Sequence, residues 1–139
     1  MQQSIDYNPS NHTKRWVAYF DLLGIKHLIE TQNWADVFNR LDRAVSELTD
    51  QDARTKNIKV AWFSDTFILY SDDDSRESFI AVASSSCLFY SFLLETFTPV
   101  TGAIACDSFY DDRGNSIFFG EGLVEAHKYG EAQDWIGFI

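Results

Sequence analysis

The sequence predicts an α+β sandwich, in which one mostly antiparallel sheet packs against helices. Short apolar runs bounded by turn residues alternate with stretches whose apolar residues recur every three or four positions. Their order reads β-α-α-β-β-α-β-β-α-β, a split βαβ arrangement that predicts helices on one face of the sheet. A chain of 139 residues with 45% hydrophobic residues is long enough to bury one core, so we expect a single domain.

The composition excludes several classes of protein. The net charge of −10, from 11 basic and 21 acidic residues, argues against nucleic acid as a stable partner. A nucleotide stays compatible, because a metal ion and helix-end amides can meet its charge locally. Cys87 and Cys106 lack CxxC spacing and lie in apolar runs, which predicts reduced core thiols. We find no apolar run of membrane-spanning length and no signal peptide, and therefore expect a cytoplasmic protein without a membrane partner.

The first strand carries the most informative residue. Residues 1–14 read as a polar, loosely docked tail, and residues 15–139 as the folded domain. Residues 16–20 form an apolar run that ends on Asp21, and a short helix is expected over 22–30, with Gly24 allowing close approach by a ligand. A helix N-terminus suits phosphate, and a carboxylate beside it suits a divalent cation. The alternative is that Asp21 only caps the helix.

The other elements follow from periodicity and turn residues. Asn33 is expected to cap the second helix, and Asp65 lies at the tip of a tight hairpin. The final segment either completes the sheet or is a strand that the chain barely begins. The predicted elements are helix 34–49, strands 58–64 and 66–71, helix 79–97, strand 100–106, a turn at 111–115, strand 116–119, helix 121–132 and strand 135–139.

Asp21 and Asp65 are expected to meet at one edge of the sheet. In a split βαβ sheet the first strand lies next to the hairpin, so the strand end and the hairpin tip are neighbours. Two carboxylates beside an amide-rich turn suit a two-metal phosphoryl or nucleotidyl transfer, in which the metals stand about 3.5–4 Å apart.

Four separated segments resemble the catalytic domain of class III nucleotide cyclases, and most closely the bacterial pyrimidine cyclases of Pycsar antiphage systems. The resemblance covers the chain from about Trp16 to its end. The segments are Phe20-Asp21-Leu22-Leu23-Gly24-Ile25, Phe63-Ser64-Asp65, Thr101-Gly102-Ala103-Ile104 and Phe119-Gly120-Glu121-Gly122-Leu123-Val124-Glu125-Ala126.

The resemblance implies a ferredoxin-like, palm-type core and a head-to-tail homodimer. It also implies two Mg²⁺ or Mn²⁺ ions and the conversion of a nucleoside triphosphate to its 3′,5′-cyclic monophosphate, which acts on a downstream cyclic-nucleotide-responsive effector. Asp21, Asp65 and the backbone of Leu22 would hold the metals. The triphosphate would lie on the backbone of Leu22, Leu23, Gly24 and Ile25.

The chain departs from the family pattern at four positions. Thr101 stands where related pyrimidine cyclases often have Arg, and Val124 and Lys128 stand where the general pattern has Asn and Arg. Lys128 would keep the charge of a catalytic Arg without its planar fork. The usual base-selecting Lys maps to Ala61, and Lys59 is one pair earlier on the same strand face, where we expect it to contact the nucleotide.

Three functions remain open from the sequence. The departures argue against an ordinary adenylyl cyclase and favour a pyrimidine cyclase that uses UTP or CTP, with bulky Trp62 and Phe63 narrowing the base pocket. They also allow a catalytically weak or inactive cyclase-like module that binds nucleotides or dimerises. The third reading is an unrelated ferredoxin-like dimerisation module.

Overall fold

The computed structural model describes residues 5–23, 30–31, 33–49, 58–96, 98–132 and 137–138. The strands are β1 His12–Leu22, β2 Lys59–Phe63, β3 Thr66–Tyr70, β4 Val100–Asp112, β5 Ile117–Phe119 and β6 Gly137–Phe138. The helices are α1 Trp34–Thr49, α2 Arg76–Glu95 and α3 Glu121–Ala132, and 3₁₀ turns occupy Pro9–Asn11 and Arg113–Asn115. Most of the predicted helix over 22–30 lies outside the described residues.

The strands form one sheet in the order β2-β3-β1-β4-β5, with β6 pairing in parallel beside β4. The central strand β1 is antiparallel to both β3 and β4, and the β2–β3 hairpin turns at Ser64 and Asp65. The predicted α+β split βαβ fold is therefore confirmed.

The expectation that the helices lie on one face of the sheet is wrong. Phe20 of β1 faces α2, where its ring contacts Phe89 at a centroid distance of 5.0 Å. Tyr19 faces the opposite side, where it joins the cluster containing Ala126 of α3. Successive strand residues point to opposite faces, so α1 and α2 cover one face and α3 covers part of the other.

The larger core lies between the sheet and helices α1 and α2. Apolar residues at a three- to four-residue spacing give α1 one buried stripe, as predicted, and Asn33 caps the helix by accepting from the Ala35 N–H at 2.7 Å. The cluster joins these helices to β1, β3 and β4; its buried members are Ala18, Phe20, Leu22, Val37, Leu41, Ala44, Leu48, Phe67, Leu69, Val82, Phe89, Leu93 and Val100.

On the other face, the β4–β5 hairpin contributes to a second cluster. Phe109 and Phe118 contact Tyr70 of β3, at ring-centroid distances of 4.8 and 6.0 Å. Helix α3 lies close beside this cluster, since a Cβ at Gly122 would be 3.2 Å from Cγ2 of Val17, a buried member of the cluster. The β2–β3 hairpin, the β4–β5 hairpin and α3 thus surround this face of the sheet.

Three sequence-based boundaries differ from the structure. Strand β1 begins at His12, inside the segment predicted as a tail, because residues 12–14 pair with β4. Strand β4 runs to Asp112, so Asp111 is a buried strand residue and not part of a turn. Helix α2 begins at Arg76, three residues early, because the Ser75 hydroxyl accepts from the Ser78 N–H at 3.1 Å.

Two predictions about apolar segments also need correction. Both cysteines are free, but Cys87 is exposed on α2 and only Cys106 is partly buried. By length and composition, α2 is the one described helix apolar enough to cross a membrane. Val82, Phe89 and Leu93 nevertheless pack it into the core, so the same composition is explained by a core helix with one open side.

Candidate active site at the end of the central strand

Asp21 is the second-last residue of β1 and is half-buried on the α3 face of the sheet. The β1 register pairs it with Thr66 of β3 on one side and Thr101 of β4 on the other. Directly paired residues share a face, so the three polar side chains form one row across the sheet. Asp21 is thus a strand residue in the sheet, and the helix start that it was predicted to cap lies largely outside the described residues.

Asp65 is held beside Asp21 by the hairpin turn. Ser64 adopts a left-handed φ of 56°, which reverses the chain tightly. The carbonyl oxygen of Asp65 then accepts a hydrogen bond from the Leu22 N–H at 2.9 Å, and this bond fixes the turn against the end of β1. The predicted meeting of Asp21 and Asp65 at one sheet edge is thus found in the structure.

The two carboxylates interact electrostatically. Burial is the main cause that raises the pKa of Asp21, and the negative charges of Asp65 and Glu131 raise it further, whereas His127 opposes the shift. Each negative charge disfavours the ionised form of the other carboxyl group. A cation that binds between the two carboxylates would relieve this repulsion. The surroundings of Asp21 therefore carry more negative than positive charge.

Two residues of α3, His127 and Glu131, and Tyr19 of β1 are neighbours of this site that were not predicted from the sequence. The His127 Nε2–H donates to Glu131 Oε1 at 3.0 Å, and the His127 ring contacts the Tyr19 ring edge-on at a centroid distance of 5.0 Å. Burial, followed by the charge of Asp21, raises the pKa of Tyr19, while a hydrogen bond with Thr66 opposes that shift. The signal in the sequence was the four-residue spacing of the small residues Gly122, Ala126 and Gly130, which predicts the side of α3 that packs on the sheet. His127 and Glu131 each follow one of these residues and lie at the edge of that side.

The carboxylates of Asp21 and Asp65 would bind a metal ion only when substrate phosphates supply further ligands. Within the described residues no group of three or more His, Cys, Asp and Glu side chains could hold a metal ion. Asp21 and Asp65 supply two carboxylates, and Mg²⁺ typically takes one or two carboxylates and completes its shell with water and substrate phosphates. Of the predicted triphosphate-binding segment, Leu22 and Leu23 lie next to this pair, but their backbone N–H groups already donate to the carbonyl oxygens of Asp65 and Pro99, each at 2.9 Å. Gly24 and Ile25 lie outside the described residues.

Lys59 and Lys128 lie away from the two carboxylates. Lys59 is at the far end of β2, about 13 Å along the strand from Phe63, and its Nζ lies 2.9 Å from Asp72 Oδ1 and 3.3 Å from Asp111 Oδ2. Lys128 is exposed on α3, on the side opposite the buried stripe of Gly122, Ala126 and Gly130. Their roles as a nucleotide contact and a catalytic residue stay predictions.

A groove of about 550 Å³ begins next to this site and runs along the β2–β3 hairpin. Ala61 and Phe118, the positions of the missing base-selecting residues, both line it. Phe63 and Thr66 lie at the end beside Asp21, and Arg113 lies at the other. The full lining comprises Val60, Ala61, Trp62, Phe63, Thr66, Ile68, Arg113, Ser116 and Phe118.

Comparison with known proteins shows the fold of nucleotide cyclase catalytic domains. No protein-family profile and no curated protein matches the chain. The structure is similar to that of the adenylyl cyclase CyaB from P. aeruginosa, with a TM-score of 0.66, 12% identity and coverage of 87% of this chain and 72% of that one.

Two further solved structures are similar. The catalytic core of a rhodopsin-guanylyl cyclase with converted specificity, in complex with ATPalphaS, gives a TM-score of 0.66 at 11% identity, covering 87% of this chain and 73% of that one. A bacterial light-regulated adenylyl cyclase gives 0.62 at 14% identity, covering 86% and 70%. At these identities the likeness establishes the fold, and the activity has to be argued from the site.

Proposed function

We propose that this chain is a metal-dependent nucleotide cyclase that converts a pyrimidine nucleoside triphosphate to its 3′,5′-cyclic monophosphate and pyrophosphate. The observation that carries the proposal is the meeting of Asp21 and Asp65 at one end of β1, in a sheet with the cyclase fold. A dimerisation module of unrelated function gives no reason for two mutually repelling carboxylates in that place.

The reaction needs little covalent chemistry from the protein. The substrate 3′-hydroxyl gives its proton to water and its oxygen forms a bond to the α-phosphorus. The bond from that phosphorus to the bridging β-phosphate oxygen breaks, and pyrophosphate leaves with the electron pair. Asp21, Asp65 and the Leu22 backbone would hold two Mg²⁺ or Mn²⁺ ions, which supply charge stabilisation for the attacking and leaving oxygens. The chain itself orients the nucleotide along the groove and holds the two carboxylates in register.

The pyrimidine preference is supported by the groove lining. Ala61 and Phe118 offer no polar side-chain partner where a purine-reading pair would stand, and Phe63 and Phe118 occupy part of the width. A site discriminates most strongly when its buried polar groups match the substrate, so the absence of those partners removes the selection for adenine. We therefore propose UTP or CTP as the substrate.

A homodimer with shared sites is supported by the position of Lys128. This side chain points away from the sheet that carries Asp21, so in a head-to-tail dimer it would serve the partner's site. Exposed large apolar residues add to the case for an interface; they include Phe63, Phe79, Ile80, Leu88, Leu94 and Val124.

A complementation experiment tests the shared site. D21N and K128M are mixed and reassembled; if Lys128 acts across the interface, the mixed dimer holds one intact site and regains turnover. If Lys128 acts within its own chain, both sites of the mixed dimer are defective and turnover stays at the level of the separate variants.

The overall proposal is tested by incubating the protein with each of the four nucleoside triphosphates and Mn²⁺, followed by mass spectrometry of the products. Cyclic UMP or cyclic CMP is expected. If cyclic AMP or cyclic GMP is the main product, the proposal of cyclase activity stands and the proposal of a pyrimidine substrate fails. Binding without any cyclic product would favour the second candidate, an inactive nucleotide-binding module, which the substitutions at Val124 and Lys128 support.

The resemblance to Pycsar cyclases extends the proposal to antiphage defence, in which the cyclic nucleotide would act as a second messenger. Phage plaque counts in cells that carry the wild-type gene or D21N, together with a cyclic-nucleotide-responsive effector, test this role. Equal protection by both would remove it.

A further inference from the structure

Tyr19 brings a hydroxyl to the end of the sheet where Asp21 and Asp65 meet. It lies two residues before Asp21 on β1, so both side chains are on the α3 face. The residue is buried, with 6% of its surface exposed. Burial, then the charge of Asp21, raises the pKa of its hydroxyl, and the charges of Glu131 and Asp65 raise it further. The hydroxyl therefore lies among three carboxylates.

Packing against helix α3 fixes the direction of the Tyr19 side chain. The His127 ring contacts the Tyr19 ring edge-on, with the two planes at 79°. A Cβ at Gly130 would be 3.5 Å from Cδ1 of Tyr19, so the helix backbone lies directly over the ring. Tyr19 also belongs to one buried cluster with Ala105 and Ala126. The position of the hydroxyl is therefore set by the packing of the ring.

The Tyr19 hydroxyl reaches Thr66 on the neighbouring strand. Tyr19 pairs with Ile68 of β3, and Thr66 lies two residues before Ile68, so Tyr19 and Thr66 are diagonal neighbours on one face. Diagonal neighbours lie about 7–8 Å apart, within reach of an aromatic side chain. Burial is the main cause of the raised Tyr19 pKa, and a hydrogen bond with Thr66 opposes it. Thr66 in turn pairs directly with Asp21.

The two hydroxyls share one donor hydrogen that the bond between them does not use. A hydroxyl carries a single hydrogen, so whichever of the two donates, the other keeps its own. Within the part of the chain that the structure describes, neither hydroxyl donates to another protein acceptor. The acceptor directly opposite Thr66 on the same face is the Asp21 carboxylate. A hydrogen bond to an ionised carboxylate is stronger than one between neutral groups.

We propose that Tyr19 is a positioning residue, which acts through the Thr66 hydroxyl to hold the Asp21 carboxylate in place for a metal ion. Tyr19 donates to Thr66, and Thr66 donates to Asp21 at the carboxylate oxygen that does not bind the ion. Hydrogen bonds of this kind orient metal-binding carboxylates, and their loss typically weakens metal binding by about 10- to 100-fold. This inference rests on the proposed function for the presence of the ion.

The test measures the binding of inorganic pyrophosphate with Mn²⁺ by calorimetry. Pyrophosphate supplies phosphate ligands for the ion but carries no base, so the result does not depend on which nucleotide is the substrate. D21N, which lacks the charged ligand itself, should show the largest loss of affinity. Thermal melting of each protein confirms that it is folded when its dissociation constant is measured.

Three variants separate the hydroxyls from the packing around them. Y19F keeps the ring and T66V keeps the shape of the side chain, and each loses one hydroxyl, so each should raise the dissociation constant about tenfold. T66S keeps a hydroxyl and should bind nearly as tightly as the wild type. Because the two hydroxyls act in series, the double variant Y19F/T66V should bind no more weakly than T66V alone.

Y110F is the matched control. Tyr110 is also buried, at 2% exposed, and its hydroxyl accepts a hydrogen bond from the Asn8 N–H at 3.2 Å. It pairs with His12 at the other end of β1, so Y110F should leave the dissociation constant unchanged. If Tyr19 were only part of the core, its hydroxyl would not matter for binding, and T66S and T66V would bind alike.

Each outcome decides the proposal. Weaker binding in Y19F and T66V, with T66S and Y110F close to the wild type, supports it, even when no cyclic product forms, in which case the cyclase proposal alone fails. Wild-type affinity in Y19F or T66V, or additive losses in the double variant, overturns the role of Tyr19 and leaves the cyclase proposal to its product assay. If the wild type does not bind, or D21N binds equally well, both the positioning role and the metal site at Asp21 are wrong.

Discussion

The two ends of the α3 face of the sheet differ in their charges: like charges lie together at one end, and opposite charges are paired at the other. At one end, Asp21 and Asp65 lie together, and repulsion adds to burial in raising the pKa of Asp21. At the other end, Lys59 lies between two carboxylates, those of Asp72 and Asp111. Both ends are built on the same strands, within about 13 Å of each other along β2.

The second end pairs its charged side chains with protein partners, although Arg15 Nε and Asp111 Oδ1 are buried without a hydrogen-bond partner among the described residues. The buried Arg15 donates from Nη1 to the carbonyl oxygen of Ser71 at 3.2 Å and from Nη2 to that of Asn11 at 3.1 Å. The Asp111 side chain is only 6% exposed and pairs with Lys59. Such paired groups hold the β4–β5 hairpin against β2, and we call Lys59, Asp72 and Asp111 the charge clamp.

Within the described part of the chain, the carboxylate end has less compensation. There, His127 lowers the pKa of Asp21, and it is already paired with Glu131. A cation that binds between two like charges relieves their repulsion. The comparison therefore supports the proposal that the carboxylate end binds a ligand, whereas the charge clamp holds the fold.

The largest expected effect is at the carboxylate end. D21N or D65N should lower turnover by on the order of 100-fold or more, since each removes a charged metal ligand. Neither should lower the melting temperature, because the Leu22 hydrogen bond uses the backbone of Asp65 and the substitutions relieve repulsion. Product formation by mass spectrometry and thermal melting check both parts.

D42N is the matched control, an Asp-to-Asn change on the exposed side of α1. It should leave turnover and stability unchanged. Near-wild-type turnover in D21N would mean that this carboxylate holds no metal, and a large loss of stability in either variant would mean that the carboxylate end is structural after all.

The next effect is at the charge clamp, and there the expected change is in stability. K59M leaves the buried Asp111 carboxylate without its cation and should lower the free energy of unfolding by about 2 kcal/mol. D72N, whose side chain is 58% exposed, should change it by less than about 1 kcal/mol. Urea unfolding followed by circular dichroism measures both.

The double variant K59M/D111N completes the cycle. Removing both members of a buried pair is less harmful than removing one, so the double variant should be more stable than the sum of the single effects predicts, by about 1 kcal/mol. Additive effects would show that Lys59 and Asp111 are not coupled. An unchanged stability in K59M would free Lys59 for the nucleotide contact predicted from the sequence.

This comparison also shows what the sequence could and could not predict. The split βαβ order of elements along the chain and the meeting of Asp21 with Asp65 followed from local signals, namely an apolar run that ends on Asp and a hairpin with Asp at its tip. Helix α1 was predicted with its observed bounds of Trp34–Thr49 because its stripe and its cap are both local.

The charge clamp depends on long-range contacts, which is why it was missed. Asp111 stands in a run of Asp, Arg, Gly and Asn that is typical of a turn, and only pairing with β5 makes it a strand residue. Its partner Lys59 is 52 positions away. The placement of α3 on the second face was missed for the same reason, since its stripe of Gly122, Ala126 and Gly130 becomes informative only against β1 and β4.

The smallest expected effect is the pH dependence of stability at the carboxylate end. Burial, with the charges of Asp65 and Glu131, raises the pKa of Asp21 above its ordinary value of 3.8. Between the unfolded and folded pKa values the native state holds more protons than the unfolded state, so the contribution of Asp21 to stability falls as pH rises through that window. D21N lacks this titration.

Thermal melts of D21N and wild type in EDTA should therefore agree below pH 3.8 and separate as pH rises, with D21N the more stable protein near neutrality. A difference of the opposite sign would show that ionised Asp21 has a stabilising partner within the chain. Adding Mn²⁺ at neutral pH sharpens the test: the wild type should gain stability and D21N should gain less, because binding to the native state raises its melting temperature. Equal gains in both proteins would place the metal away from Asp21, and the carboxylate end would then differ from the charge clamp in its charges but not in metal binding.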